Sequence, residues 1–341
     1  MGCLVDLDEN YDLYYFIRIS TNKRVWVEEE ALYKVLNGNL NFVEGEKIFK
    51  TKKANRDSGD IRVEYNNKKK GKNPDIMCMR VSSVLEQMKS KLPQETEYDR
   101  ICLSYINLML NNLKGIFVLN PIPSLMRDYV RSTDVELKSN CENISPVLHH
   151  LCQDEKKRNE LLSTVRNLPE NEVQSIEFIK TQLGDVIFGL KEKYMNNSEI
   201  VDAKKLSDGT LRCMAILAAI LSMPKGEILV IEEIDNGIHP GRVHALINTL
   251  ENIGRERNID IILTTHNPTL LNSYDKNKLL GVSVVYREAE KGTSTFVSLI
   301  DIKQYPELFA VGGIGDAMVD NSLLKMIKEP RQIPDTSWLG V

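Results

Sequence analysis

The sequence has no long hydrophobic run. The longest in its motif-bearing half, Met214–Met223, is about half the length that crosses a bilayer. The opening MGCLVDLDEN carries no basic stretch and no apolar core, so no signal peptide is expected. Gly2 and Cys3 invite a comparison with lipidated termini, but Asp6 stands where a Ser or Thr belongs. There is no CxxC pair, and the six cysteines (Cys3, Cys78, Cys102, Cys141, Cys152, Cys213) have no regular spacing. That excludes a disulfide framework or zinc ribbon and points to a reducing, cytoplasmic setting without a membrane. Positive charge is not in excess either: 44 Lys and Arg face 48 Asp and Glu, a net charge of -4. Any nucleic-acid contact must therefore come from a local patch. No internal repeat or low-complexity segment occurs. What remains is an ordinary globular composition, 42% apolar and 27% charged, over 341 residues, enough for one large domain or two.

Four regions are expected. Residues 1–78 read as an antiparallel β lobe. YDLYYFIRIS, RVWVEEEALY, NLNFVEG and GDIRVEYN are rich in β-branched and aromatic residues, with short turns between them. Residues 79–183 read as a helical lobe or insertion. EYDRICLSYINLMLNNLKG places Ile101, Tyr105, Leu108 and Met109 on one helical face, and SPVLHHLCQD, KRNELLSTVRNL and EVQSIEFIKTQL are further helix candidates. Residues 184–300 alternate strand and helix. DVIFGLKEKYM returns to strand, and TLRCMAILAAILSM is apolar nearly all round, as a buried helix is. ILVI and IDIILTTH read as strands covered on both faces, GRVHALINTLENIGRER as an amphipathic helix, NPTLLNSY as a short helix and LLGVSVVYRE as a strand. Residues 301–341 read as C-terminal helices and a tail. The fold class is α/β, with a parallel sheet flanked by helices whose chemistry sits at the carboxyl ends of the strands.

Three short motifs fall at those ends. LSDGT, Leu206–Thr210, opens the buried helix. Its backbone N–H groups and the helix dipole suit an anion, and Ser207 adds a hydroxyl, although Ser-Asp-Gly is also good N-cap chemistry. ILVIEE places Glu232 and Glu233 where one carboxylate can hold Mg2+ and the other can orient or deprotonate water. A pair of solvated loop acids is the plainer alternative. His266 follows IILTT, where an imidazole can reach a phosphate oxygen or position water, or can simply be a satisfied, partly buried residue.

In order and spacing these motifs resemble the second half of an ABC-type ATPase nucleotide-binding domain. LSDGT resembles the signature motif, ILVIEE the Walker B strand, IDNGIHP the D-loop, and His266 the switch histidine. The resemblance is strongest to soluble SMC-like AAA ATP-binding proteins, relatives of DNA-repair and overcoming-lysogenisation ATPases, many of which act in phage defence. It covers roughly residues 200–300. Glu232 departs from the Asp usual in transporters. The resemblance implies a P-loop NTPase-like core using ATP and Mg2+. Glu232 would lie on the metal side, and Glu233 and His266 would be catalytic. Ser207, Asp208, Gly209 and Thr210 would meet a γ-phosphate across a nucleotide-bridged homodimer or higher oligomer, with Asp235 and Asn236 near that interface.

The phosphate-holding half is missing. No GxxxxGK[ST] run occurs in the 341 residues; GGIGDAM (312–318) lacks a following Lys, and KKKGKNPD (68–75) lacks the Ser or Thr. The chain is therefore expected to bind ATP weakly by itself, as a fragment or as a half-site completed by a P-loop-bearing partner. The alternative is a non-catalytic regulatory or structural subunit that retains the fold. A basic stretch (Lys50, Lys52, Lys53, Arg56, Arg62, Lys68, Lys69, Lys70, Lys72) faces only Asp57, Asp60 and Glu64 and is a possible DNA contact, or a solvated loop. His149 and His150, being adjacent, point to different sides and are not expected to share a metal. His239 and His244 are weaker metal candidates, because no HExxH occurs. The tail leaves no room for a nuclease domain, so any effector is expected on a companion protein.

Overall fold

The computed structural model describes residues 2–21, 24–37, 45–55, 57–69, 71–167, 173–192, 200–272, 281–288, 292–302 and 313–328. The chain divides into two compact units at Ile116/Phe117, inside the stretch expected as one helical lobe.

The first unit is a meander. Strands β1 (Gly2–Asp6), β2 (Tyr11–Ser20), β3 (Trp26–Leu36), β4 (Glu46–Thr51), β5 (Asp60–Tyr65) and β6 (Asp75–Met79) pair antiparallel in sequence order. This is the expected antiparallel lobe; most of NLNFVEG lies outside the described residues. Helices α1 (Val84–Lys91) and α2 (Glu97–Lys114) share a core with one face of the sheet, built around Leu13, Leu32, Phe49, Val63, Met88 and Ile106. Thr96 and Asp99 form a reciprocal capping box at the start of α2. The buried face of α2 is Cys102, Ile106, Met109 and Leu110, and Ile101 is exposed. The expected face was therefore turned by about one position. Apolar residues cover so much of this helix that periodicity alone leaves its phase open. Glu30 is fully buried. Its carboxylate accepts from Tyr15 Oη (2.9 Å), Ser83 Oγ (2.8 Å) and the N–H groups of Val84 and Leu85 (both 2.7 Å), and so caps α1 from β3.

In the second unit, β7 (Ile116–Leu119), β12 (Ile228–Ile231) and β13 (Asp260–Leu263) form a sheet in the order β13-β12-β7, with β12 and β13 parallel. A second sheet is centred on β10 (Asp185–Glu192), which pairs antiparallel with β8 (Val130–Arg131), β9 (Val173–Lys180) and β11 (Val201–Asp202). The expected helix over EVQSIEFIKTQL is thus the strand β9. Its apolar spacing fits either period, but β-branched residues and a turn ending at Gly184, with φ +85°, select the hairpin. β7 and β8 likewise interrupt the expected helical stretch, while α3 (Ile144–Leu151) and α4 (Glu155–Asn167) fulfil it in part.

Helix α5 (Asp208–Ser222) is buried nearly all round, as its composition predicts. It shares the main core with α3, α4, α6 (Pro240–Arg257) and the inner face of the parallel sheet. The strand ILVI departs from expectation in one respect: only Leu229 and Ile231 are fully buried, and Ile228 and Val230 are half-buried. α7 (Pro268–Asn272), the hairpin of β14 (Ser283–Arg287) and β15 (Ser294–Ser298), and short helices at Ile314–Val319 and Ser322–Lys328 complete the described structure. The α/β class and the parallel sheet flanked by helices are as expected. Among the described residues, no helix is long and apolar enough to cross a membrane.

Candidate functional site

The parallel register brings the motifs to one edge. Ile231 pairs with Leu263, so Glu232 and Glu233 leave β12 beside Thr264. Thr264 fastens the two chain ends: its N–H donates to Ile231 O (3.1 Å), its carbonyl accepts from Ile234 N–H (3.1 Å), and its Oγ1 accepts from Glu233 N–H (2.9 Å). Glu233 sits in the left-handed region at φ +48°. A non-glycine residue there is uncommon and strained, and such residues cluster at functional sites. Asn236 holds it from the other side: its N–H donates to Glu233 O (2.8 Å) and its Nδ2 to Oε2 (3.1 Å). Thr265 Oγ1 donates to Asp235 Oδ1 (2.7 Å), a second tie between the strand that leads to His266 and the loop that follows the acids.

The signature-like turn packs on that same loop. A Cβ on Gly209 would lie 2.6 Å from the carbonyl oxygen of Gly237, which itself has φ +68°. Only glycine at position 209 permits this approach. Ser207 acts as the N-cap of α5: its Oγ accepts from Thr210 N–H (3.1 Å) and lies 2.9 Å from Thr210 Oγ1. The cap reading of Ser207 is thus part of the structure. Arg127 clamps the turn from outside, donating to Ala203 O (3.0 Å), Lys204 O (2.9 Å), Leu206 O (2.8 Å) and Asp208 Oδ1 (2.5 Å). Arg242 Nη1 reaches Thr210 Oγ1 (3.4 Å), and His239 caps α6, its Nδ1 accepting from Gly241 N–H (3.3 Å).

Glu233, Asp235, Asn236 and the Gly209 turn are therefore linked through short contacts. Glu232 and His266 are exposed at the same edge without a hydrogen bond of their own among the described residues. Thr264, Thr265, Arg127 and Arg242 escaped the sequence reading. The Thr-Thr before His266 was a usable signal, since hydroxyls at a strand end can bridge to a neighbouring loop. Arg127 carried no local signal, being about 80 residues from the turn it holds.

Glu232 and Glu233 offer carboxylate oxygens, the donor type a hard divalent cation takes, and no ion pair among the described residues involves either. Among the described residues no cluster of three or more His, Cys, Asp or Glu could hold a metal by itself. His149 stacks edge-on against Phe178 (5.1 Å), and burial, then Lys180 and His150, push its pKa down. In the basic stretch Lys50, Lys52 and Lys68 are ion-paired with Glu29, with Glu64 and Asp75, and with Glu46, while Lys53, Arg62, Lys69 and Lys72 are exposed. Arg56 and Lys70 lie outside the described residues. A cavity of about 820 Å³ at the start of α4, lined by His150, Gln153, Asp154 and Lys157, shares no residue with the motif cluster.

Residues 112–272, which include every motif described above, match the family described as "AAA domain, putative AbiEii toxin, Type IV TA system". No curated protein sequence matches the chain. Among solved structures, an Smc head bound to the C-winged helix domain of ScpA is 12% identical, covers 83% of this chain and 78% of its own, and has a TM-score of 0.39. An Smc head with an extended coiled coil, bound to the C-terminal domain of ScpA from Pyrococcus furiosus, is 11% identical, covers 85% and 82%, and scores 0.35. A structure from work on ATP-driven dimerization and DNA-stimulated activation of SMC ATPases is 14% identical, covers 54% and 98%, and scores 0.34. At these scores the three likenesses carry no argument about activity or partners.

Proposed function

We propose that this chain, whose residues 112–272 match an AAA-domain family, supplies the hydrolytic half of a composite ATP site. The observation that carries this reading is Glu233. It is a strained, left-handed residue at the carboxyl edge of a parallel strand, fixed by Thr264 on one side and Asn236 on the other. Strain of order 1–3 kcal/mol persists where surrounding structure enforces it, and here it aims a carboxylate out of the sheet edge.

Glu232 would hold Mg2+ directly or through water, and the ion supplies charge neutralisation at the phosphates. Asn236 occupies Oε2 of Glu233, which leaves Oε1 to orient a water and take its proton. His266 steadies that water or donates to a phosphate oxygen. The N–H groups at the start of α5 and the Ser207 hydroxyl form an anion-facing turn for a nucleotide held by another subunit. Asp208, beside that turn, has its carboxylate paired with Arg127, which orders the turn. ATP thereby drives dimerisation, and hydrolysis reverses it. By family resemblance we place this cycle in DNA maintenance or phage defence, in the cytoplasm, with an effector on a companion chain.

The reading is tested by Mg2+-dependent ATP hydrolysis, measured on the chain with and without a P-loop-bearing segment encoded beside it. Hydrolysis should need that segment and fall about 10²-fold or more in Glu233→Gln. Equal hydrolysis by the variant would exclude Glu233 as the base. The second reading, a non-catalytic subunit, is favoured by the self-satisfied cap at Ser207. It predicts nucleotide-independent association and no hydrolysis in any combination.

A further inference from the structure

His266 stands between two hydrogen-bonded neighbours. On one side Thr265 Oγ1 donates to Asp235 Oδ1 (2.7 Å) and accepts from Asn267 N–H (3.0 Å). On the other side Asn267 heads α7. Its Oδ1 accepts from Thr269 N–H (3.0 Å) and Leu270 N–H (3.4 Å), and its carbonyl accepts from Leu271 N–H (3.3 Å). The backbone of His266 is thus tied to the loop of the acids in front and to α7 behind.

α7 belongs to two cores at once. Leu270 is buried in the main core, whereas Leu271 packs on a separate cluster of Leu299, Ile302, Ile314, Ala317 and Leu323. Adjacent residues on a helix point about 100° apart, so one short helix can serve both. The separate cluster also takes in Val284 and Val297 of the β14–β15 hairpin and Met326 and Ile327 of the last described helix. It is a small C-terminal core with α7 as its bridge to the motif-bearing one.

One side chain makes the join. Asn272, the last residue of α7, accepts at Oδ1 from Gly315 N–H (2.7 Å) and Asp316 N–H (3.3 Å), and its Nδ2 donates to Asp316 Oδ1 (2.9 Å). The helix Ile314–Val319 also bears on the other end of α7. A Cβ on Gly315 would overlap the carbonyl oxygen of Pro268, two residues after His266. A helix of five residues does not hold its place by its own hydrogen bonds, so these contacts set where α7 lies. Close-packed elements pass a displacement on instead of absorbing it.

We propose that Asn272 is a positioning residue for His266: its three bonds to the helix Ile314–Val319 fix α7, and α7 fixes the imidazole at the sheet edge. The proposal rests on the ATP reading above for the work that His266 does there.

The test follows the ring of His266 by NMR in the full chain labelled with 13C-histidine. The chain has five histidines, and the His266 signal is the one lost in His266→Gln. Asn272→Ala should move or broaden that signal and leave those of His149 and His239 in place. Gly315→Ala, which pushes on Pro268 directly, should move the same signal. Asn272→Asp combined with Asp316→Asn keeps an acceptor for both N–H groups and reverses the third bond, so it should return the signal to its original position. Asn272→Asp alone sets two carboxylates face to face and should not. In the assembly that hydrolyses ATP, Asn272→Ala should lower kcat about tenfold or more with KM unchanged, and the double exchange should restore it. An unmoved His266 signal in Asn272→Ala, even with a lowered thermal transition, would show that Asn272 only holds the C-terminal helices, and overturns the proposal. So does a displacement that the double exchange fails to reverse. A signal displaced and restored, with no hydrolysis in any assembly, keeps the positioning and removes the ATP reading. Hydrolysis that needs Glu233 and is indifferent to Asn272→Ala does the reverse.

Discussion

The six-stranded antiparallel sheet and the three-stranded parallel sheet each build their main core on one face, yet their other faces have opposite chemistry. On the antiparallel sheet the outward residues are largely charged and paired across strands. Glu29 binds Arg18 (3.2 Å) and Lys50 (3.1 Å), Lys52 binds Glu64 (3.4 Å) and Asp75 (2.5 Å), and Lys47 also meets Glu64. A small cluster of Ala31, Tyr33 and Val35 with Leu4 and Tyr14 is set apart from the main core. Its edge strand β6 is closed by side chains of α1: Gln87 bonds both the N–H and the carbonyl of Met79 (2.8 Å each), and Lys91 donates to Met77 O (2.7 Å). That is how a terminal strand is protected from further pairing. Among the described residues the parallel sheet has neither device: its outward residues are Val118, Val230 and Ile262, and no ion pair involves Glu232 or Glu233. The first sheet is finished by its own residues.

The comparison can be broken most severely at Glu30. Glu30→Ala leaves three buried donors and the half-buried Ser83 hydroxyl without this acceptor and should cost more than about 3 kcal/mol, read as early hydrogen exchange across α1 in a urea series. A smaller loss would mean that water replaces the carboxylate. Next come the two faces of the parallel sheet. Leu229→Ala should cost about 2–4 kcal/mol and Ile262→Ala below about 1 kcal/mol, both from denaturation midpoints; equal losses would show Ile262 to be covered. Glu29→Gln on the finished sheet should cost less than about 1 kcal/mol, and the difference should fade as salt rises. The smallest effect is at His149, whose pKa lies below its ordinary value of 6.5 because the neutral ring is favoured by burial. Between the two values the unfolded chain binds more protons, so His149's contribution is complete above about pH 6.5 and declines as pH falls. An NMR titration should show a midpoint below that of a solvent-exposed histidine, and Phe178→Leu should move it upward.

Much of the candidate site's layout was legible because its residues are contiguous. Four apolar residues running into Glu232 and Glu233, a Ser-Asp-Gly turn before a helix apolar all round, and a strand ending in His266 are local patterns, and the structure sets all three at one sheet edge. The parts that did not show in the sequence are pairings between distant residues. Thr264 meeting Glu233, Gly209 meeting the carbonyl of Gly237, and Arg127 reaching Asp208 depend on how loops come together. The strand β9 was misread because Val173, Ile176 and Ile179 recur every three residues, as on a helix, and only pairing with β10 decides.

By itself the sequence determined the α/β class, the antiparallel N-terminal lobe, the buried helix α5 and the placing of the acids after an apolar strand. Periodicity and composition dictate these, since an apolar run has to leave water whatever surrounds it. Only the tertiary structure decided that Glu233 is held in a left-handed backbone, that Arg127 pairs with Asp208, and that Leu229 and Ile231 are buried while Val118 and Ile262 are exposed. Each of these depends on which neighbour arrives, and neighbours are fixed by packing between elements far apart in the chain.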